Sequence, residues 1–123
     1  MKKPNTPIIS YRHSANGHKS RWTRMPFCID AFYFIIGEAV GNIKACSKLG
    51  VRASTDVNIS NLDFDGFSVG TNKDGMIEIV MFYFEYDTPE CQELLSQIKG
   101  FLPKGTTVRL LSAYNPERVL PLN

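Results

Sequence analysis

Arg12, His13, His18 and Lys19 are the residues of this 123-residue chain whose types and closeness most resemble acid–base machinery. Two histidines and a lysine can cleave a phosphodiester without a metal, one imidazole acting as base and the other as acid. That chemistry requires the two rings to converge. Between them stands Asn16-Gly17, the strongest two-residue hairpin signal, because a type I′ turn needs positive φ at both central positions. With that turn His13 faces Ser20 and His18 faces Ala15, so nothing forces the rings together. Exposed turn histidines are the simpler reading, and no catalytic residue and no enzymatic activity are assigned.

The same turn organises a binding site more readily than a catalytic one. It sets Tyr11 opposite Trp22, Arg12 opposite Arg21 and Ser14 opposite Lys19. One side of the ribbon then carries Ile9, Tyr11 and Trp22; the other carries Ser10, Arg12, Lys19, Arg21 and Thr23. Like charges directly opposite each other on a ribbon repel, which calls for full solvation or for an anion. Arg12, Lys19, Arg21 and Arg24 are therefore the candidate phosphate contacts, Tyr11 and Trp22 the candidate stacking surfaces, and His13 and His18 their neighbours. Together they point to a nucleotide or nucleic acid held at the hairpin. The competing explanation puts Trp22 in the core and uses the cations to keep a sheet edge soluble.

Charge supports a local basic feature and no more. The first 24 residues hold six cations and no acid, leaving eight cations against twelve acids in the remainder, a net −4 there. An anionic partner or a solvated face accounts for such a block. The three cysteines, Cys28, Cys46 and Cys91, are odd in number and widely spaced. That fits neither a disulfide framework nor a zinc site, so they are expected to be reduced and mostly buried. Asp63, Asp65 and Asp74 lie near glycines but lack calcium-loop spacing. No phosphate loop or nucleophile elbow occurs, and no cofactor or metal is expected. No apolar run reaches membrane-spanning length, and the basic N-terminus is not followed by an apolar stretch, so a cytoplasmic protein is expected.

These side chains must be placed by a single α+β domain. Residues 1–7, with Pro4 and Pro7, read as an extended arm, 8–24 as the basic hairpin and 114–123 as an extended tail. A helix is expected from Ile29 or Asp30 to Gly50, with Phe32, Ile36, Val40 and Ile43 recurring at three and four residues. Its first part, Phe27 to Ile36, is apolar all round and is also compatible with a strand. Gly37 and Gly41 share one helix face and are expected to permit tight packing on the sheet. Strands follow over 51–62, 64–70 and 76–86. A second helix is capped by Thr88 with Pro89 at its first position, and Thr106 to Ala113 reads as a last strand.

The order from Pro26 suggests a ferredoxin-like βαββαβ core, an antiparallel sheet with two helices on one face, preceded by the hairpin. The central strand, Met76 to Tyr86, is apolar on both alternating sets, which suggests cover on both sides. An identical chain is the simplest second cover, with Ile77, Ile79, Met81 and Tyr83 as the dimer interface. The functional expectation is a small non-enzymatic protein that holds an anionic ligand at its basic hairpin. The alternative is an inhibitor, immunity or regulatory module that blocks a partner protein through an apolar or acidic surface, the latter including Asp56, Asp63, Asp65, Asp74, Glu78 and Glu85.

Overall fold

A computed structural model describes residues 7–60, 64–83, 89–112 and 118–122. Its elements in chain order are β1 Ile8–Ala15, β2 His18–Lys19, β3 Thr23–Pro26, α1 Ile29–Lys48, β4 Ala53–Ile59, β5 Phe64–Thr71, β6 Ile77–Tyr83, α2 Pro89–Lys99, β7 Thr106–Ser112 and β8 Arg118–Leu122. Residues 1–6 of the expected arm, the Thr88 cap and residues 84–86 of the central strand lie outside the described residues.

All strands join one mixed sheet in the order β2-β1-β4-β5-β6-β7-β8, with β3 also paired to β1. Because β4 occupies one edge of β1 along nearly its whole length, β2 and β3 share the other and form a broken edge. The fold is α+β, but the βαββαβ order is not the one observed. Three strands, β4, β5 and β6, separate the helices. The third reverses the chain once more, so α2 links parallel neighbours, β6 and β7. β1 meanwhile wedges between β3 and β4, antiparallel to both. The expected extended tail contains β8, which pairs antiparallel with β7.

Alternation decides which residues meet the helices. A row across five strands, Tyr11, Val57, Phe67, Met81 and Leu110, faces the core. It meets Phe32, Ile35, Ile36, Ala39 and Ile43 of α1 and Leu95, Ile98 and Leu102 in and after α2. Phe32 and Phe67 stack edge to face with centroids 5.5 Å apart, and burying each such ring is worth about 2–3 kcal/mol. Helix is thus the observed state of the ambiguous Phe27–Ile36 segment from Ile29 onward. Its N-cap is Cys28, whose sulfur accepts from the Ala31 N–H at 3.4 Å. Cys28 is exposed rather than buried, and Cys46 is partly buried; both are free thiols. Gly37 and Gly41 are exposed and do not pack on the sheet. A side chain at Gly37 would reach only the Phe101 ring, and one at Gly41 would meet nothing.

The same alternation corrects the expected dimer surface. Ile79 and Met81 are 0 % exposed inside the core, and Ile77 packs against it partly buried. They contact the chain's own helical layer and are not presented to a second copy. Tyr83 lies at the end of β6. The other face of the sheet is not covered by either helix, and on β6 it carries Val80 and Phe82.

Candidate functional site

The Asn16-Gly17 turn forms with φ of 53° and 81°. Its first pairs are the expected ones, Ser14 with Lys19 and Ala15 with His18, and Ser20 N–H donates to the His13 carbonyl at 3.2 Å. Beyond that the partner chain slips by one residue, so Tyr11 pairs with Thr23 rather than Trp22, and Ser10 with Arg24. Residues 20–22 take up the extra length without strand pairing. The slip leaves Arg21 in the unpaired stretch rather than opposite Arg12, and on the other edge of β1 Arg12 faces Asp56 of β4. A bulge of this kind re-aims a side chain, and the one re-aimed here is Trp22.

Trp22 lies over the open face, where the Arg12 guanidinium sits 4.8 Å from its ring centroid. Arg12 also donates to Asp56, with Nε and Nη2 each 3.2 Å from Oδ2. Ser68 Oγ–H donates to Asp56 Oδ1 at 2.9 Å. Around this network a concavity of about 330 Å³ is lined by Arg12, Trp22, Asp56, Asn58, Ser68 and Phe82, with Val57 and Phe67. Trp22 is 40 % and Phe82 39 % exposed. Two part-exposed rings, an exposed amide and a fixed carboxylate suit a planar ligand with polar edges. Arg24, opposite Ser10, shares that face at the sheet edge.

The structure gathers only part of the expected set. Arg12, Trp22 and Arg24 belong to the open face, while Arg21 is exposed in the unpaired stretch. Lys19 stands at the register position opposite Ser14. Tyr11 points the other way: it is buried, and its hydroxyl donates to Glu38 Oε1 of α1 at 3.2 Å. Burial first, then the Glu38 carboxylate, raises its pKa above the ordinary 10.0, against a smaller lowering by Thr23. His13 lies on the helix-facing side, its Nδ1 2.6 Å from Thr55 Oγ1 and its ring edge-on to Tyr11. His18 is exposed, and its side chain makes no hydrogen bond, ion pair or ring contact among the described residues. The two histidines share no contact, and the hairpin does not assemble an acid–base pair with them.

Sequence reasoning missed Asp56, Asn58, Ser68 and Phe82 as one site, because they come from three strands and meet only through register. A signal existed: Asn58 and Ser60 alternate with Val57 and Ile59, which marked a polar face on that strand. Among the described residues no group of His, Cys, Asp and Glu is arranged to hold a metal ion. No described helix is long and apolar enough to cross a membrane. No family model, curated protein or solved structure matches the chain.

Proposed function

We propose that this is a small non-enzymatic binding protein that holds an anionic, ring-bearing ligand, a nucleotide or a short single-stranded nucleic acid, on the open face of its sheet. The observation that carries this reading is the pairing of Trp22 and Phe82, both two-fifths exposed, around one concavity with Asp56, Asn58 and Ser68. A base stacked on either ring removes apolar surface from water, and the amide and carboxylate can meet its polar edge. Arg21 and Arg24 at the adjacent edge attract the phosphates. Arg12 supports the ring of Trp22 and balances Asp56, so its charge is largely spent within the site.

Trp22 is the chain's single tryptophan, which makes the test direct. Titration with a nucleoside monophosphate or an oligonucleotide is expected to quench its fluorescence saturably. The affinity should fall steeply with salt and fall further in an Arg21→Glu, Arg24→Glu variant. Unchanged fluorescence at millimolar nucleotide would sink the reading.

A protein-binding role is the second reading, favoured by the opposite side of the molecule. Phe34 of α1 is 55 % and Phe101 after α2 44 % exposed, and Phe101 stacks on Tyr33 at 4.9 Å beside Gly37. Such a patch is the kind of surface that a partner or second copy covers. Sedimentation that depends on protein concentration, and loses that dependence in Phe34→Ser, Phe101→Ser, would support self-association there. A concentration-independent monomer would remove it.

A further inference from the structure

One row below the ring-lined concavity the open face changes character. Register places Ser14 opposite Ser54, and the next strand contributes Gly70. Three strands in succession thus offer a serine, a serine and a glycine, and the absence of any large side chain leaves a trough of about 430 Å³. Arg52 and Lys73 stand on its rim, both exposed, and neither has an ion-pair or hydrogen-bond partner for its side chain among the described residues. No carboxylate lines it. Ser14 Oγ and Ser54 Oγ are 2.9 Å apart. One hydroxyl of such a pair donates to the other, so one O–H hydrogen remains for a ligand.

The surroundings reinforce the field. Two neighbouring cavities share Thr71 with the trough; one is lined by Lys44, Lys48 and Lys104, the other by Arg52, and neither by an acid. Five of the eight cations beyond the first 24 residues therefore gather at this end of the sheet. A net negative stretch of sequence thus brings these five cations to one end of the sheet, with Asp74 beside Lys73 in the same turn. Concave surfaces of one sign concentrate counter-ions.

We infer that the trough binds a phosphate group, held between Arg52 and Lys73 with the serine hydroxyls beneath it. The inference rests on the proposed nucleotide reading in making the trough the phosphate subsite of the same ligand. Two residues of strand separate the rows of Ser14 and Arg12, about 7 Å, a span that a ribose bridges. A guanidinium fork, an ammonium point charge and a hydroxyl, set around one trough, can engage several oxygens of a tetrahedral dianion at once, more than a planar carboxylate offers.

The test is residue-resolved NMR of the full chain, titrated in turn with inorganic phosphate, adenosine and adenosine monophosphate at constant ionic strength and pH. Inorganic phosphate is expected to give saturable shifts at Ser14, Arg52, Ser54 and Thr71. Arg52→Ala, Lys73→Ala should weaken it by about tenfold or more, while Arg52→Lys, Lys73→Arg retains it. The nucleotide should bind more tightly than adenosine, and the alanine pair should bring it down to adenosine's affinity. Saturable phosphate binding with no gain for the nucleotide would keep the phosphate site, assign it to the free ion, and overturn the shared ligand. Non-saturating phosphate shifts, or equal phosphate affinity in the alanine pair, would overturn the trough while adenosine shifts near Trp22 and Phe82 left the nucleotide reading standing. Silence with both adenosine and its monophosphate overturns that reading and the subsite with it.

Discussion

The two faces of the sheet are built from the same strands, one residue out of step, and they differ in almost everything else. On the covered face Tyr11, Val57, Phe67, Met81 and Leu110 form a buried row against the helices. One position along, the row reads Arg12, Asp56, Ser68, Val80 and Arg109, and none of these is fully buried. Period-two alternation lets a strand answer to two selective demands at once. Residues on the first row are committed to the core; those on the second stay partly exposed and pair among themselves or with their strand neighbours.

Substitution across adjacent rows tests that division most severely. Met81→Asp places a carboxylate among fully buried side chains with no cation near, and a loss of more than about 4 kcal/mol, enough to unfold the chain, is expected. Val80→Asp, the neighbouring residue on the open face, should change the urea midpoint by less than about 1 kcal/mol equivalent. Similar losses for the two would mean that the open face is covered after all. Gly66 offers a second break in the same region. It sits at φ 145°, at the register shift of β5 against β6, and an added Cβ would overlap the Val57 carbonyl. Gly66→Ala is expected to cost about 3 kcal/mol by chemical denaturation.

How much of this was legible in sequence follows the same line between local and non-local information. The α1 start at Ile29, its core positions Phe32, Ile36 and Ile43, and the positive-φ turn at Asn16-Gly17 are set by neighbours along the chain. Three- and four-residue spacing and turn chemistry report them directly. The slip after Ser20 was not legible, because turn chemistry fixes only the pairs beside the turn, Ser14 with Lys19 and Ala15 with His18, and the register further along is set by other contacts. The face of Ile79 and Met81 was not legible either. Alternation separates the two sets on a strand but does not say which set meets the helices when both are apolar. This cluster of cations was invisible because Lys44 and Arg52 flank the α1–β4 connection, Lys73 lies in the β5–β6 turn and Lys104 in the α2–β7 connection, three places far apart in sequence.

A smaller substitution sharpens the open face rather than breaking it. Asp56→Asn removes the ion pair with Arg12, whose side chains are a fifth to a third exposed, and weakens the bond from Ser68. Stability should fall by about 0.5–1 kcal/mol, the ordinary scale of a partly exposed pair. Binding of inorganic phosphate should strengthen, since one negative charge about 7 Å from the trough is gone and Arg12 is released; a gain of about threefold per unit of phosphate charge is expected at water-like dielectric. Calorimetric titration with phosphate or a nucleotide reads the sign. Weaker binding in this variant would show that Asp56 contacts the ligand as an acceptor, as a base amino group would require.

The smallest effect belongs to Tyr11, the hairpin aromatic that turned toward the helices. Its hydroxyl bond to Glu38 is partly buried, and Glu38 is itself exposed, so Tyr11→Phe leaves no stranded acceptor and should cost about 0.5–1 kcal/mol at neutral pH. The pH dependence carries more information than the size. Folding raises the phenol pKa above 10.0, so the native state holds its proton longer than the unfolded chain does. That contribution is complete below pH 10.0 and is lost as pH climbs through the raised native value. Wild-type stability should therefore decline more steeply than that of Tyr11→Phe as pH rises from 10.0 through the raised native value, and the gap between their melting temperatures should narrow. A gap that stayed constant would place Tyr11 in a wetter setting, with its ring free for the open face and a ligand.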